Sequence, residues 1–365
     1  MRKTFLIFYL FVSLIIIPKI PCMTQNITPD WQYPKGLVLV YPKDLRSALI
    51  PCFKELIKTI LASTKLPELT LIVTPNAKTE IESFCNLLNT QTKIRYFKTN
   101  LVQDIWARDF CPIYISNGTV CKALYNPKYF DKKQTIKYAD PDDQTGIELA
   151  NFLNLKVDYF LQSGKNNLIL DGGNFIHNGK GTAIVTNRVI ADNETLSIDE
   201  IRMIFQKHLG ISNLIFLPVE VGDESGHIDG MVRFINENTL VVADLPSEYI
   251  NAPQNISEID YKIDKQFLDN IADTLSKVFI VKRIENAIPK NEGKEGLASA
   301  YGNYINFLRI GNTIFLPQYS IIQDNKAIET FKTNFPELTI IKVTKDIEKL
   351  SKLGGVLNCI SWTYY

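Results

Sequence analysis

Histidine is scarce in this 365-residue sequence: His177, His208 and His227 are the whole supply. The six cysteines, Cys22, Cys52, Cys85, Cys111, Cys121 and Cys359, include no CxxC pair. With so few ligands at such spacings, no structural zinc site is expected. Basic residues (40) and acidic residues (39) are interspersed, the formal net charge is +1, and no Lys- or Arg-rich block occurs. A charged surface for nucleic acid is therefore not expected. The chain also lacks a Ser/Gly/Pro linker or low-complexity tract, which argues against a division into domains. The apolar run from Phe5 to Ile17 is shorter than the ~20 residues a membrane-spanning helix needs, so no stable membrane span is expected.

What is present is ordinary globular material, 45% hydrophobic and 22% charged, long enough for a large core. Arg2 and Lys3 followed by the Phe5–Ile17 run have the layout of a secretory signal peptide. Residues 1–22 are read as that leader, which implies export to the periplasm or beyond, and residues 24–365 as one domain. Export would permit disulfides among Cys52, Cys85, Cys111 and Cys121; buried thiols are the equal alternative.

The domain alternates short apolar runs with amphipathic stretches. GLVLVYP (36–42) and LTLIVTP (69–75) read as strands, with helical spacing in IPCFKELIKTILAS (50–63) between them. TEIESFCNLLN (79–89) and GIELANFLNL (146–155) read as helices. Ser197 with Glu200 three residues on is a capping-box pattern, and the helix it opens is expected to stop at Gly210. A long helix is expected over 261–278, and a hairpin around Gly311 and Asn312. The rhythm is strand–strand–helix–strand, repeated roughly five times, so the fold class is α/β.

Five segments stand out. DIWARDFCP (104–112) puts Trp106 three residues before Asp109, at the entrance to a strand. LDGGNF (170–175) sets Asp171 before two glycines, which allow a sharp turn and close approach. In DESGHIDGMVRF (223–234), His227 and Asp229 would share one face of a strand. Asn306 lies in an apolar strand and needs hydrogen-bond partners. GGVLNCISW (354–362) places Cys359 on a glycine-led strand. Each segment alone has a purely structural reading. Together they supply a thiol, an imidazole, several carboxylates, an amide and an aromatic face. Two carboxylates could grip a planar guanidinium through paired N–H donors. A thiolate could attack its central carbon. A histidine could protonate departing ammonia and then deprotonate water. No metal or organic cofactor is required.

WARD, LDGGN, GHID, YINF and GGVLNC, in this order and at these spacings, resemble the motifs of the agmatine deiminase and bacterial peptidylarginine deiminase family. The resemblance covers essentially the whole domain. It implies the pentein fold, a five-bladed α/β propeller of pseudo-fivefold ββαβ units around a central active-site channel. It implies Cys359 as nucleophile, His227 as general acid/base, Asp109 and Asp229 as the guanidinium clamp, and Asp171 as the carboxylate that orients the histidine. Trp106, Asn306, Asn174 and Asp223 take its substrate-binding places. Asn358 stands where the family usually has His, and ALYNPKYF (123–130) replaces a Trp-containing segment of the agmatine branch.

The expected activity is hydrolysis of agmatine to N-carbamoylputrescine and ammonia through a Cys thiouronium intermediate. Agmatine is preferred because the chain has no extra module for grasping proteins. The partner is thus a small guanidino molecule, or an arginine-containing peptide if the enzyme makes peptidyl citrulline. An amidine transferase on the same fold and a non-catalytic secreted binding protein are the other readings. A papain-like protease does not fit, because its cysteine normally opens a helix near the mature N-terminus.

Overall fold

The computed structural model describes residues 27–162, 165–220, 222–249, 257–288 and 298–365. The proposed leader, including Cys22, lies outside the described residues.

The strand–strand–helix–strand rhythm is realised as five separate sheets of one design. In each, a short strand pairs antiparallel with a central strand, and a helix returns the chain to pair a third strand parallel to the centre. One unit runs Ile113–Ser116, Thr119–Lys122, helix Asp140–Phe152, Lys156–Tyr159. The next runs Ile176–His177, Thr182–Thr186, helix Ile198–Leu209, Asn213–Leu217. Val232–Phe234, Thr239–Asp244, helix Glu258–Ser276 and Ile280–Glu285 follow. Leu308–Ile310, Thr313–Pro317, helix Ile322–Asn334 and Thr339–Val343 form a fourth. The fifth is assembled from both ends of the chain. Ser361–Tyr364 pairs antiparallel with Gly36–Val40, which pairs parallel with Glu68–Val73 after helix Ile50–Ser63; Lys93–Lys98 extends that sheet. No described sheet closes into a barrel.

The central strands are buried along their length, as at Gly36–Val40 and Thr239–Asp244. They read as continuous apolar runs because they are covered on both faces. Ser197 caps its helix as the capping box predicts, with Glu200 reaching back, and Gly210 ends it in the left-handed region at φ 68°. The first helix spans Ile50–Ser63, as its apolar spacing predicts. Gly311 and Asn312 form the two-residue loop of their hairpin.

Other local expectations are corrected. The helix expected at 79–89 is Lys78–Asn86, and the one expected at 146–155 begins already at Asp140, with Pro141 in its first turn. His227 and Asp229 are not on a strand: pairing begins only at Val232. Asp109, by contrast, lies at the entrance to a strand as expected, in a one-turn helix, Ala107–Phe110, ahead of Ile113–Ser116. Asn306 and Cys359 also precede their strands, which start at Leu308 and Ser361. The described cysteines Cys52, Cys85, Cys111, Cys121 and Cys359 are all buried and free.

Candidate active site

Each chemistry-bearing residue lies on the turn that enters the first, antiparallel strand of one sheet. These turns are joined into a closed ring by hydrogen bonds. The Arg108 N–H donates to the Cys359 carbonyl (3.0 Å). The Gly173 N–H donates to Asp109 Oδ1 (2.9 Å). The Asp229 N–H donates to the Gly173 carbonyl (3.2 Å). Asn303 Nδ2 donates to the Gly230 carbonyl (2.9 Å), and its Oδ1 accepts from the N–H groups of Ile305 and Asn306 (2.9 and 3.1 Å). The Asn358 N–H closes the ring on the Asn306 carbonyl (3.2 Å).

Two glycines allow these turns to approach. A Cβ on Gly172 would collide with the Arg108 carbonyl. One on Gly173 would lie 2.6 Å from His227 Nδ1 and 2.7 Å from Asp109 Oδ1. Gly355 does the same beside the sulfur: its Cβ would meet the Trp106 ring at 2.8 Å and Cys359 Sγ at 3.0 Å. Trp106 and the thiol therefore flank Gly355.

The His227 imidazole sits between two carboxylates, with Nε2 3.1 Å from Asp171 Oδ2 and Nδ1 3.6 Å from Asp109 Oδ1. Burial disfavours the imidazolium, but Asp109, Asp171 and Asp229 together outweigh it and hold the proton on His227 above its ordinary range. Burial, with Asp171 and Asp229 nearby, pushes Asp109 up, while His227 opposes. Cys359 Sγ lies 3.7 Å from Asp229 Oδ2 and accepts from Asn306 Nδ2 at 3.1 Å. Cys359 as a residue is only 7% exposed. Burial and the charges of Asp229 and Asp109 push its thiol well above the ordinary range, partly offset by the Val356 N–H and the Asn306 amide. Asn306 is the hub of this turn, since its Oδ1 also accepts from the N–H groups of Val356, Asn358 and Cys359 (3.2, 3.1 and 3.4 Å).

An anion-rich cage with a protonated thiol is poor chemistry for a neutral ligand and apt for a cationic one. A guanidinium placed among Asp109, Asp229 and Sγ would offset the charges that hold the thiol's proton. Two buried acceptors, Asp171 Oδ1 and Asn358 Oδ1, have no hydrogen-bond donor among the described residues. A ligand rich in N–H groups is what such acceptors lack.

The fold thus brings together Cys359, His227, Asp109, Asp229, Asp171, Asn306 and Trp106. The Asn174 N–H donates to the Asp171 carbonyl at 2.9 Å, and the side chains of Asn174 and Asp223 bond to neighbouring segments. Asn174 Oδ1 accepts from the Thr186 N–H (2.8 Å), and Thr186 Oγ1 donates to the Gly226 carbonyl (2.5 Å), so the Asn174 side chain fastens the segment that carries His227. Asp223 accepts from the N–H and hydroxyl of Ser225 on the loop before His227. Sequence reasoning gave no role to Asn358, whose Nδ2 donates to Asp229 Oδ2 at 2.5 Å, nor to Asn303 or Tyr129. These are hydrogen bonds between distant segments and leave no local pattern. Elsewhere, Cys121, Asp158 and His208 bring metal-ligating atoms within 4.8 Å of one another. Burial drives that thiol far above its ordinary range, and His208 already pairs with Asp158 at 3.3 Å.

The profile of the Porphyromonas-type peptidyl-arginine deiminase family matches residues 26–364, and the chain belongs to this family. Among curated relatives, a putative agmatine deiminase of Selenomonas ruminantium is 24% identical over 344 residues, covering 85% of this chain and 86% of its own. The agmatine deiminase of Pseudomonas fluorescens is 22% identical over 282 residues, covering 71% and 73%. Among solved structures, C. jejuni agmatine deiminase superposes with a TM-score of 0.73 at 21% identity over 93% of this chain and 95% of its own. A putative arginine deiminase from Porphyromonas gingivalis gives 0.71 at 19% identity over 93% and 97%. These structural likenesses establish the fold.

Proposed function

We propose that the protein is a guanidine deiminase acting on agmatine, giving N-carbamoylputrescine and ammonia. The observation that carries this reading is the meeting of Cys359 Sγ, the doubly flanked His227 and the Asp109–Asp229 pair in one buried cage. Agmatine is favoured over peptidyl arginine by the curated relatives named as agmatine deiminases. A C. jejuni agmatine deiminase structure with substrate bound has the same fold (TM-score 0.72, 19% identity). The hydrogen-bonded ring of turns supports reading the five units as blades of a pentein propeller, with the site in its central channel.

Asp109 and Asp229 hold the guanidinium in plane, each accepting N–H donors. Arrival of the cation allows the Cys359 proton to pass to solvent, and the thiolate forms a C–S bond to the guanidinium carbon as the C=N π pair moves onto nitrogen. His227 gives its proton to one amino group, the C–N bond breaks, and ammonia departs. The neutral imidazole then takes a proton from water, whose oxygen attacks the S-alkylthiouronium carbon. Collapse breaks the C–S bond, the remaining hydroxyl proton passes to solvent, and the ureido product and the thiolate are left. The Asn306 amide stabilises the sulfur anion at the start and end of the cycle.

The test is ammonia release and ureido formation with agmatine, free arginine and a peptide ending in arginine, repeated with Cys359→Ser. Turnover of agmatine above the other two, abolished in the variant, is expected. Inactivity of the folded wild type on all three would overturn the reading, and preference for the peptide would reassign the substrate.

A further inference from the structure

The segment ALYNPKYF (123–130) plays no part in the chemistry above, yet one of its side chains reaches the catalytic carboxylates. The Tyr129 hydroxyl donates to Asp171 Oδ2 at 3.2 Å, the same oxygen that faces His227 Nε2 at 3.1 Å. The other Asp171 oxygen is buried with no partner among the described residues. The attitude of the carboxylate is therefore set by the two groups that meet at Oδ2. The tyrosine is itself held: the Arg188 guanidinium lies 5.1 Å from its ring centroid, and Arg188 Nε is bonded to Asp192 at 3.1–3.2 Å. Phe130 packs edge-on against the same ring.

We propose that Tyr129 is a positioning residue for the hydrolysis: it fixes Asp171 against His227 and withdraws part of the charge on their shared oxygen, with Arg188 bracing its ring. This inference rests on the deiminase reading. An aspartate with one oxygen engaged by histidine alone can tilt away. A phenol at that oxygen restricts the tilt and stabilises the anion. Asp109, Asp171 and Asp229 face His227, and Asp109, Asp192, Tyr125 and Tyr129 surround Asp171. Removing the hydroxyl leaves more of Asp171's charge for the imidazolium. His227 then keeps its proton to higher pH.

For Tyr129→Phe, kcat on agmatine is expected to fall roughly tenfold, as for loss of one hydrogen bond to a charged group. KM should change less than about twofold, because the hydroxyl acts through Asp171 rather than on substrate. The limb of the pH–rate profile carried by His227 should move to higher pH, and NMR titration of the His227 ring should show the same shift without turnover. In an Asp171→Asn background, Tyr129→Phe should add less than about twofold. Arg188→Gln, which loosens the ring but keeps the hydroxyl, should give a smaller effect of the same sign. An unmoved His227 titration, or an undiminished Tyr129→Phe effect in the Asp171→Asn background, would overturn the proposal even with an active wild type. Wild-type inactivity on every guanidine would remove the deiminase reading and this inference with it.

Discussion

Asn306 shows how much one side chain does at this site. Its Oδ1 gathers three backbone N–H groups of the turn that carries Cys359, and its Nδ2 donates to the sulfur. The thiol is held above its ordinary range by burial and by Asp229 and Asp109. Neutral iodoacetamide should therefore alkylate Cys359 slowly at pH 7, faster as pH rises, with no plateau near the usual thiol value of ~8.5. Cationic chloroacetamidine, which offsets the two carboxylates, should react much faster at pH 7. Asn306→Ala should slow both reagents and lower kcat by roughly 10- to 100-fold, the range for a hydrogen bond to a charged group at ~1.5–3 kcal/mol. Equal rates for the two reagents at pH 7 would contradict the charge-offset account. The chemistry-bearing residue types were legible in the sequence because a thiol, a His–x–Asp pair and a DGG turn are rare enough to be noticed together. Asn358 and Tyr129 were not, since an amide and a phenol have no meaning until their carboxylate partners at Asp229 and Asp171 are located in space.

At the scale of elements, the working parts are five turns rather than the strands they enter. Asn303 ties two of them, with three hydrogen bonds to Gly230, Ile305 and Asn306. Asn303→Ala leaves a carbonyl and two N–H groups to find other partners. A loss of ~1–3 kcal/mol in urea unfolding is expected, with a fall in kcat because Asn306 moves with the turn. Unchanged stability and rate would show that the ring does not need this link. Elements governed by local chemistry were readable: the helix from Ile50, the Ser197–Glu200 cap with its Gly210 stop, and the Gly311–Asn312 hairpin. The turn at His227 was misread as a strand, whereas the turn at Asp109 was placed, as the structure has it, at the entrance to one. Their conformation is set by bonds from Cys359 and Gly173, far along the chain, and by close approaches that only glycine permits.

At the scale of the molecule, both ends of the described chain build one sheet: Ser361–Tyr364 lies against Gly36–Val40. Trp362 Nε1 donates to the Pro112 carbonyl at 2.7 Å, and the Tyr364 hydroxyl donates to Glu68 at 2.9 Å. The sulfur thus meets its partners only where the two ends of the described chain are joined, which couples the site to the whole fold. The fivefold rhythm was legible as a count of strands and helices. The joining of the first and last strands was not, because pairing over such a separation leaves no local trace. The central claim, a covalent Cys359 adduct of a clamped guanidinium, is tested most directly by acid-quenching enzyme mixed with excess agmatine within the first turnover and weighing the digested peptides. The Cys359 peptide should gain the mass of agmatine less ammonia, and Cys359→Ser should show neither adduct nor turnover. Full agmatine hydrolysis with that peptide unmodified at every time would contradict the account.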